Sequence, residues 1–385
     1  MRHGLLLLAS LALSACATTA PAPPPAAPEN LLHDAVFEAR PVPAQPDVFA
    51  VSAPMRRYLE SDIAAQLREQ GRLRGLVAAL ESHAQLRLDY ESSVTRTAAE
   101  AFAARAGNCL SLTVMTAALA RELGLQVSFQ RVFSEPVWSR SNDTLYASGH
   151  VNIVLEPGAM GESRSLDRVK GIVVDFMPGA DLRRQRSQEI EAHTVVAMFM
   201  NNRAAEALNR GALDEAYWWA RGATRQDARF LEAFNTLGVV YARHGDLAYA
   251  ERVFGHVLKL ETENVSALAN LAGTLERLGR HEESRAYRQR LRQIEAQPPF
   301  HFFDLGLAAL KRKEFAAARD HFARELQRNA FYHEAHFGLA VAYLALGETA
   351  PAQRHLATAL ETSTGRREHD LYAAKLAWLR ARAER

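Results

Sequence analysis

Apolar residues in the first half of the chain recur at helical spacing. Leu59, Ile63 and Leu67 fall four apart, and Leu73, Leu76, Val77 and Leu80 follow Gly71, so Met55 to Leu88 reads as largely helical. Thr97-Ala98-Ala99-Glu100 has the spacing of a capping box and opens a short helix through Phe102. Gly107 breaks that helix and Asn108 suits an N-cap. The apolar run from Cys109 to Leu123 then forms the next helix, ended by Gly124. Beyond it the texture turns strand-like at Val127–Val132, Gly149–Leu155 and Gly171–Phe176. The stretch between the first two runs, containing Trp138 and Asn142, reads as a loop.

The second half repeats itself. Leu237-Gly238, Leu271-Ala272, Leu305-Gly306 and Leu339-Ala340 recur in one register of 34 residues, and Ala204 falls in the same series. A turn position follows the same period at Gly211, Gly245, Gly279, Lys313 and Gly347. So does a small residue at Ala216, Ala250, Ser284, Ala318 and Ala352. Small residues at fixed sites let paired helices approach closely. The motif Phe234…Leu237-Gly238…Tyr241…Ala250…Phe254 resembles the tetratricopeptide repeat. That resemblance implies an all-α solenoid of five repeats over residues 193–365, with protein or peptide as the partner. Lys313 makes the fourth turn irregular, and Pro298-Pro299 precedes that repeat. Residues 366–385 read as a charged helix that caps the open end.

Composition narrows the function classes. The 385 residues are 48% hydrophobic and 23% charged, enough for more than one core and too apolar for a disordered chain. Net charge is only +2, from 46 Lys+Arg against 44 Asp+Glu, which argues against nucleic acid as a partner. Two cysteines, Cys16 and Cys109, allow neither a disulfide framework nor a four-cysteine metal site. His193, His244, His256 and His281 are scattered, and His333 and His336 read as surface residues on one helix. Gly158 to Gly161 lacks the Lys-Ser/Thr and the helix of a phosphate loop. No metal or cofactor is implied.

The start of the chain reads as an address. Met1-Arg2-His3 is followed by an apolar run from Gly4 to Leu13, too short to span a bilayer as a helix. Leu13-Ser14-Ala15-Cys16 resembles a bacterial lipobox. That resemblance implies a signal peptide over residues 1–15, lipidation at Cys16 and anchorage to a membrane. Ala17, rather than Asp, leans towards the periplasmic face of the outer membrane. Pro21, Pro23, Pro24, Pro25 and Pro28 make residues 16–48 read as a stiff, solvated tether.

Candidate chemistry lies in residues 49–188. Cys109 falls in the first turn of a helix, where the macrodipole favours thiolate, and it has no disulfide partner once Cys16 is lipidated. His150 opens one strand, and Asp175 closes another. A helix packed on an antiparallel sheet can bring the three together, with thiol as nucleophile, imidazole as base and carboxylate as orienter.

Gly107-Asn108-Cys109, Gly149-His150-Val151-Asn152 and Val174-Asp175-Phe176 resemble, in order and context, the transglutaminase-like fold of papain-like cysteine hydrolases. The resemblance implies an α+β domain with Cys109, His150 and Asp175 as a triad. It is closer to the bacterial proteins that join this domain to tetratricopeptide repeats than to the animal cross-linking enzymes, whose acidic calcium loops have no counterpart here. Leu110 stands where papain carries Trp. The Cys109 backbone N–H and Gln130 are candidate oxyanion donors, and Asn152 reads as a structural neighbour of the site. The expected function is a lipid-anchored periplasmic cysteine hydrolase or acyltransferase working through a thioester on peptide or amide bonds. The alternative is a catalytically inactive adaptor.

Overall fold

The structure, a computed structural model, describes residues 27–42, 47–81, 86, 88–91, 94–141, 144–158, 171–176, 186–294, 300–329, 332–363 and 366–383. The expected signal peptide, the lipidation site Cys16, Asn142, most of the Gly158–Gly161 stretch and Pro298-Pro299 lie outside these residues.

An α+β unit comes first. Short helices α1 (Ala53–Arg57), α2 (Ala64–Gln70) and α3 (Arg72–Glu81) lead to a two-residue strand, β1 (Asp89–Tyr90). Helix α4 (Ala98–Ala104) starts on the expected capping box. The Glu100 backbone N–H donates to Thr97 Oγ1, and the Thr97 backbone N–H donates to Glu100 Oε2 at 2.9 Å. Strand β2 (Ala106–Gly107) pairs in parallel with β1 and runs straight into α5 (Cys109–Glu122). Every residue of α5 from Leu110 to Ala120 is buried, so this helix forms the spine of the unit.

A four-stranded antiparallel sheet packs on α5. It comprises β3 (Gln126–Ser141), β4 (Thr144–Glu156), β5 (Ile172–Val174) and β6 (Arg186–Ile190), in the spatial order β5-β4-β3-β6. Phe129, Val151, Ile153 and Leu155 are buried, and the Thr113 hydroxyl reaches the Val151 carbonyl. The expected loop around Trp138 is strand instead. Backbone pairing resumes after a register shift between Val132 and Val137, with Trp138 opposite Ala147. A polar, irregular sequence can still ladder when both strands come from one hairpin, because the backbone supplies the bonds.

Five helix pairs follow: α6 (Ala192–Asn209) with α7 (Leu213–Gln226), α8 (Leu231–His244) with α9 (Leu247–Leu260), α10 (Val265–Arg277) with α11 (His281–Ile294), α12 (His301–Lys311) with α13 (Phe315–Arg328), and α14 (His333–Ala345) with α15 (Thr349–Thr362). The second helices of the pairs begin at Leu213, Leu247, His281, Phe315 and Thr349, in step with the sequence period. This half is an all-α repeat solenoid of the tetratricopeptide kind. Gly211, Gly245, Gly279 and Gly347 all take positive φ at the turns between paired helices. Lys313 takes the same left-handed conformation, at φ 59°, despite its side chain.

The small positions work as expected, with a refinement. A Cβ on Gly238 would lie 2.5 Å from the ring of Phe254, and one on Gly306 would lie 2.6 Å from that of Phe322. Glycine therefore stands where the partner helix presents an aromatic ring. Where Ala272 holds the position, Arg288 stands in the ring's place in the period, and the small residue Ser284 donates its hydroxyl to the Ala272 carbonyl at 2.9 Å. Helix α16 (Arg366–Ala383) closes the array by burying Tyr372, Leu376 and Leu379 against Ala340, Leu356 and Ala359.

One continuous core runs from Ala27 through the α+β unit to Leu291, joining the first three repeats to it. Two expectations are corrected here. Residues 27–42 are not a solvated tether throughout, since Leu31 and Phe37 are buried against the repeats. His336 is no surface residue either. It is buried, with its Nδ1 3.0 Å from Nδ1 of His355, while His333 Nδ1 lies 3.0 Å from the Tyr372 hydroxyl.

Candidate active site

The local sequence explains how Cys109 is presented. Asn108 caps α5: its Oδ1 accepts from the Ser111 backbone N–H at 2.9 Å and from the Ser111 hydroxyl at 2.8 Å. Its amide donates to Thr95 Oγ1 at 2.8 Å, which ties the cap to the preceding loop. A Cβ on Gly107 would lie 2.7 Å from Ser111 Cβ, so only glycine lets the chain turn this tightly before the cysteine. Cys109 is a free thiol, partly buried, at the positive end of α5.

His150 is 3% exposed and lies on β4 opposite Val132. Its Nε2 is 2.7 Å from Asp175 Oδ1 and 2.8 Å from Oδ2, a charge-assisted contact at bonding distance. Nδ1 is buried and has no well-aligned hydrogen bond among the described residues. The Cys109 thiol adjoins the ring. Desolvation works against the imidazolium. The bonds and charges of Asp175 and Cys109 outweigh it and push the His150 pKa up to about 9.

Asp175 follows β5 directly and is held from a second side. Asn152 Nδ2 lies 3.4 Å from Asp175 Oδ2, a long contact. The structure thus brings Cys109, His150 and Asp175 together from one helix start and two strands. It does not bring Gln130 to the thiol. Gln130 stands opposite Asn152 on β3, and no hydrogen bond joins it to Cys109 among the described residues.

Sequence reasoning missed Tyr90. Strand β1 sets Tyr90 opposite Gly107, two residues before the cysteine. The pairing is pinned by the Glu91 backbone N–H, which donates to the Gly107 carbonyl at 3.0 Å. The Tyr90 pKa is raised by desolvation and by the charges of Cys109 and Asp175, against a hydrogen bond from the Cys109 backbone N–H. The amide expected to receive an oxyanion therefore meets the Tyr90 hydroxyl. Nothing in the run around Tyr90 announces this, because a two-residue strand leaves no periodicity to read.

The site abuts the repeats. Arg131 of β3 pairs with Glu232 of α8, and α10 packs against β4. The Thr95 backbone N–H donates to Glu206 Oε1 of α6 at 2.6 Å, which joins the loop that holds the cap to the first repeat helix.

No protein-family model and no curated protein matches the chain. Solved structures do resemble part of it. MamA from Desulfovibrio magneticus RS-1 is 19% identical over 43% of this chain and 94% of its own, with a TM-score of 0.26. YrrB, a TPR protein with an unusual peptide-binding site, is 21% identical over 48% of this chain and 99% of its own, at 0.25. PilF of Pseudomonas aeruginosa is 21% identical over 50% of this chain and 88% of its own, at 0.31. At such identities and scores no function follows from these likenesses.

Proposed function

We propose that the repeat array holds a protein or peptide partner, and that the α+β unit is a transglutaminase-like cysteine hydrolase or acyltransferase acting on that partner's amide or peptide bonds. The observation that carries the chemistry is the buried His150 ring, bonded to Asp175 through Nε2 and adjoined by the Cys109 thiol. Asp175 fixes the ring and favours its imidazolium form. Cys109 Sγ attacks the carbonyl carbon, His150 donates its proton to the leaving amine as the C–N bond breaks, and a thioester remains. Attack by water on the thioester gives hydrolysis, and attack by an amine gives transamidation. The Cys109 backbone N–H, freed from Tyr90, would take the oxyanion. In this reading Cys16 is lipidated, and residues 16–26 hold the folded part at the periplasmic face of the outer membrane.

Alkylation tests the chemistry. Iodoacetamide should modify Cys109 faster than an ordinary thiol near neutral pH, and His150→Ala should slow it by at least tenfold. An unchanged rate in His150→Ala would remove the catalytic reading.

A second reading, the inactive adaptor, keeps the partner-holding array and drops the chemistry. Tyr90 beside the Cys109 amide favours it, since its hydroxyl competes for the donor an oxyanion would use. Undiminished cellular function of Cys109→Ala would select the adaptor.

A further inference from the structure

The segment Glu29–Glu38 lies along α7, the end of α8 and the start of α9, and the array reads it as a ligand. Side chains of the repeats bond to its backbone. Tyr241 donates to the Leu31 carbonyl at 3.0 Å, the His33 N–H donates to the Tyr217 oxygen at 3.0 Å, and Trp218 Nε1 donates to the Glu38 carbonyl at 2.8 Å.

One acidic side chain is clamped bidentately and a second, exposed one is met by a single arginine nitrogen. Arg221 holds Asp34 at 2.8 Å through both nitrogens, and Arg225 Nη2 holds both oxygens of Glu29 at 2.8 and 2.9 Å. Tyr217 also donates to Asp34 Oδ1 at 2.6 Å. Desolvation of the Asp34 carboxylate is outweighed by these bonds, so its pKa lies below the usual range.

Apolar anchors complete the set. Phe37 stacks on Tyr217 with centroids 4.0 Å apart and the planes 5° from parallel, and Leu31 is buried. His33 stacks on Tyr249 at 4.3 Å. Backbone bonds, an Arg fork and an aromatic slot are how a groove recognises a peptide, here one wound into 3-10 turns at Glu29–Leu31 and Asp34–Val36, whereas neighbouring repeats pack by apolar ridges.

We propose that the α7–α9 surface is a linear-peptide site specific for an acidic, aromatic-anchored segment of the form Glu-x-Leu-x-x-Asp-x-x-Phe, and that Glu29–Glu38 is its resident, displaceable occupant. A partner carrying that pattern competes with the chain's own segment and, on binding, releases it. The inference rests on the reading of the array as a peptide holder and is independent of the thiol chemistry. The resident segment acts at an effective concentration of about millimolar, so the site is blocked in the intact chain.

The test uses the full chain and a fluorescent peptide copying residues 28–39, followed by anisotropy. Asp34→Ala with Phe37→Ala should bind the peptide at least tenfold tighter than the unaltered chain does, and adding Arg221→Ala should weaken that binding at least tenfold. If that double variant does not fold, Asp34→Asn with Phe37→Leu, checked by circular dichroism, stands in for it. Equal binding to the unaltered chain, or none to a folded variant, overturns the proposal. Peptide binding by the Asp34→Ala, Phe37→Ala chain that survives Arg221→Ala with Arg225→Ala would also overturn it, while leaving the array a peptide-holding module elsewhere on its surface.

Discussion

Replacing Asp175 by Asn keeps the shape of the His150 partner and removes its charge. The folded-state pKa of His150 is raised from 6.5 to about 9, so its imidazolium contributes stability. That contribution is fully present below pH 6.5 and is lost as pH rises through about 9. At about 1.36 kcal/mol per pKa unit, the gap is worth up to about 3 kcal/mol at pH 6, about 2 at pH 7.5 and well under about 1 at pH 9. His150 is nearly inaccessible to water, so solvent screening does not erode this much. The scale also agrees with the about 3–5 kcal/mol lost when one partner of a buried ion pair is removed.

Native-state hydrogen exchange at the β4 amides of Val151 to Ile153 reads the effect locally, and the comparison is between the two proteins at each pH. Asp175→Asn should lower the opening free energy by the Asp175 share of this amount at pH 6, the rest coming from Cys109, and the two profiles should converge towards pH 9. A difference that stays constant with pH, or no difference, would refute the charged His150–Asp175 pair.

Three more expectations follow from single contacts. Gly238→Ala should destabilise the chain by about 1–3 kcal/mol, because its methyl would sit 2.5 Å from the fully buried Phe254 ring. Phe254→Leu in the same chain should recover part of that loss, as read by urea midpoints of a double-mutant cycle. Lys313→Gly should stabilise by about 0.5–1 kcal/mol, since it relieves a left-handed residue at φ 59° and glycine's extra unfolded-state freedom offsets only part of the gain. A lower urea midpoint for this variant would contradict that account. Tyr90→Phe removes the hydroxyl that meets the Cys109 amide. Modification by an acyl donor should rise severalfold if that hydroxyl blocks the oxyanion position, and fall if it assists there; an unchanged rate would place Tyr90 outside the site.

Local signals carried much of the fold. Thr97 and Glu100 announced a helix start, Asn108 announced another, and turn glycines set the phase of four of the five helix pairs, with Lys313 at the fourth turn, because caps and turns depend on a few neighbouring residues. The 34-residue period defined the solenoid for the same reason, since each repeat meets mainly its neighbours. Cys109 begins α5 and Asp175 follows β5, at the element ends the sequence marks, whereas His150, expected to open a strand, lies within β4, which extends back to Thr144.

Other features depended on contacts between distant parts of the chain. The extended β3–β4 ribbon, Tyr90 at the thiol, the buried His336–His355 pair and the docking of Glu29–Glu38 on Tyr217 and Arg221 carry no local signature. Each joins groups whose pairing is decided by which surfaces the packed core brings face to face. Sequence by itself determined where helices begin, how the repeats are phased and which side chains can do chemistry. Tertiary structure alone decided which of those side chains meet, because a bond between residues far apart along the chain forms only after packing has brought them together.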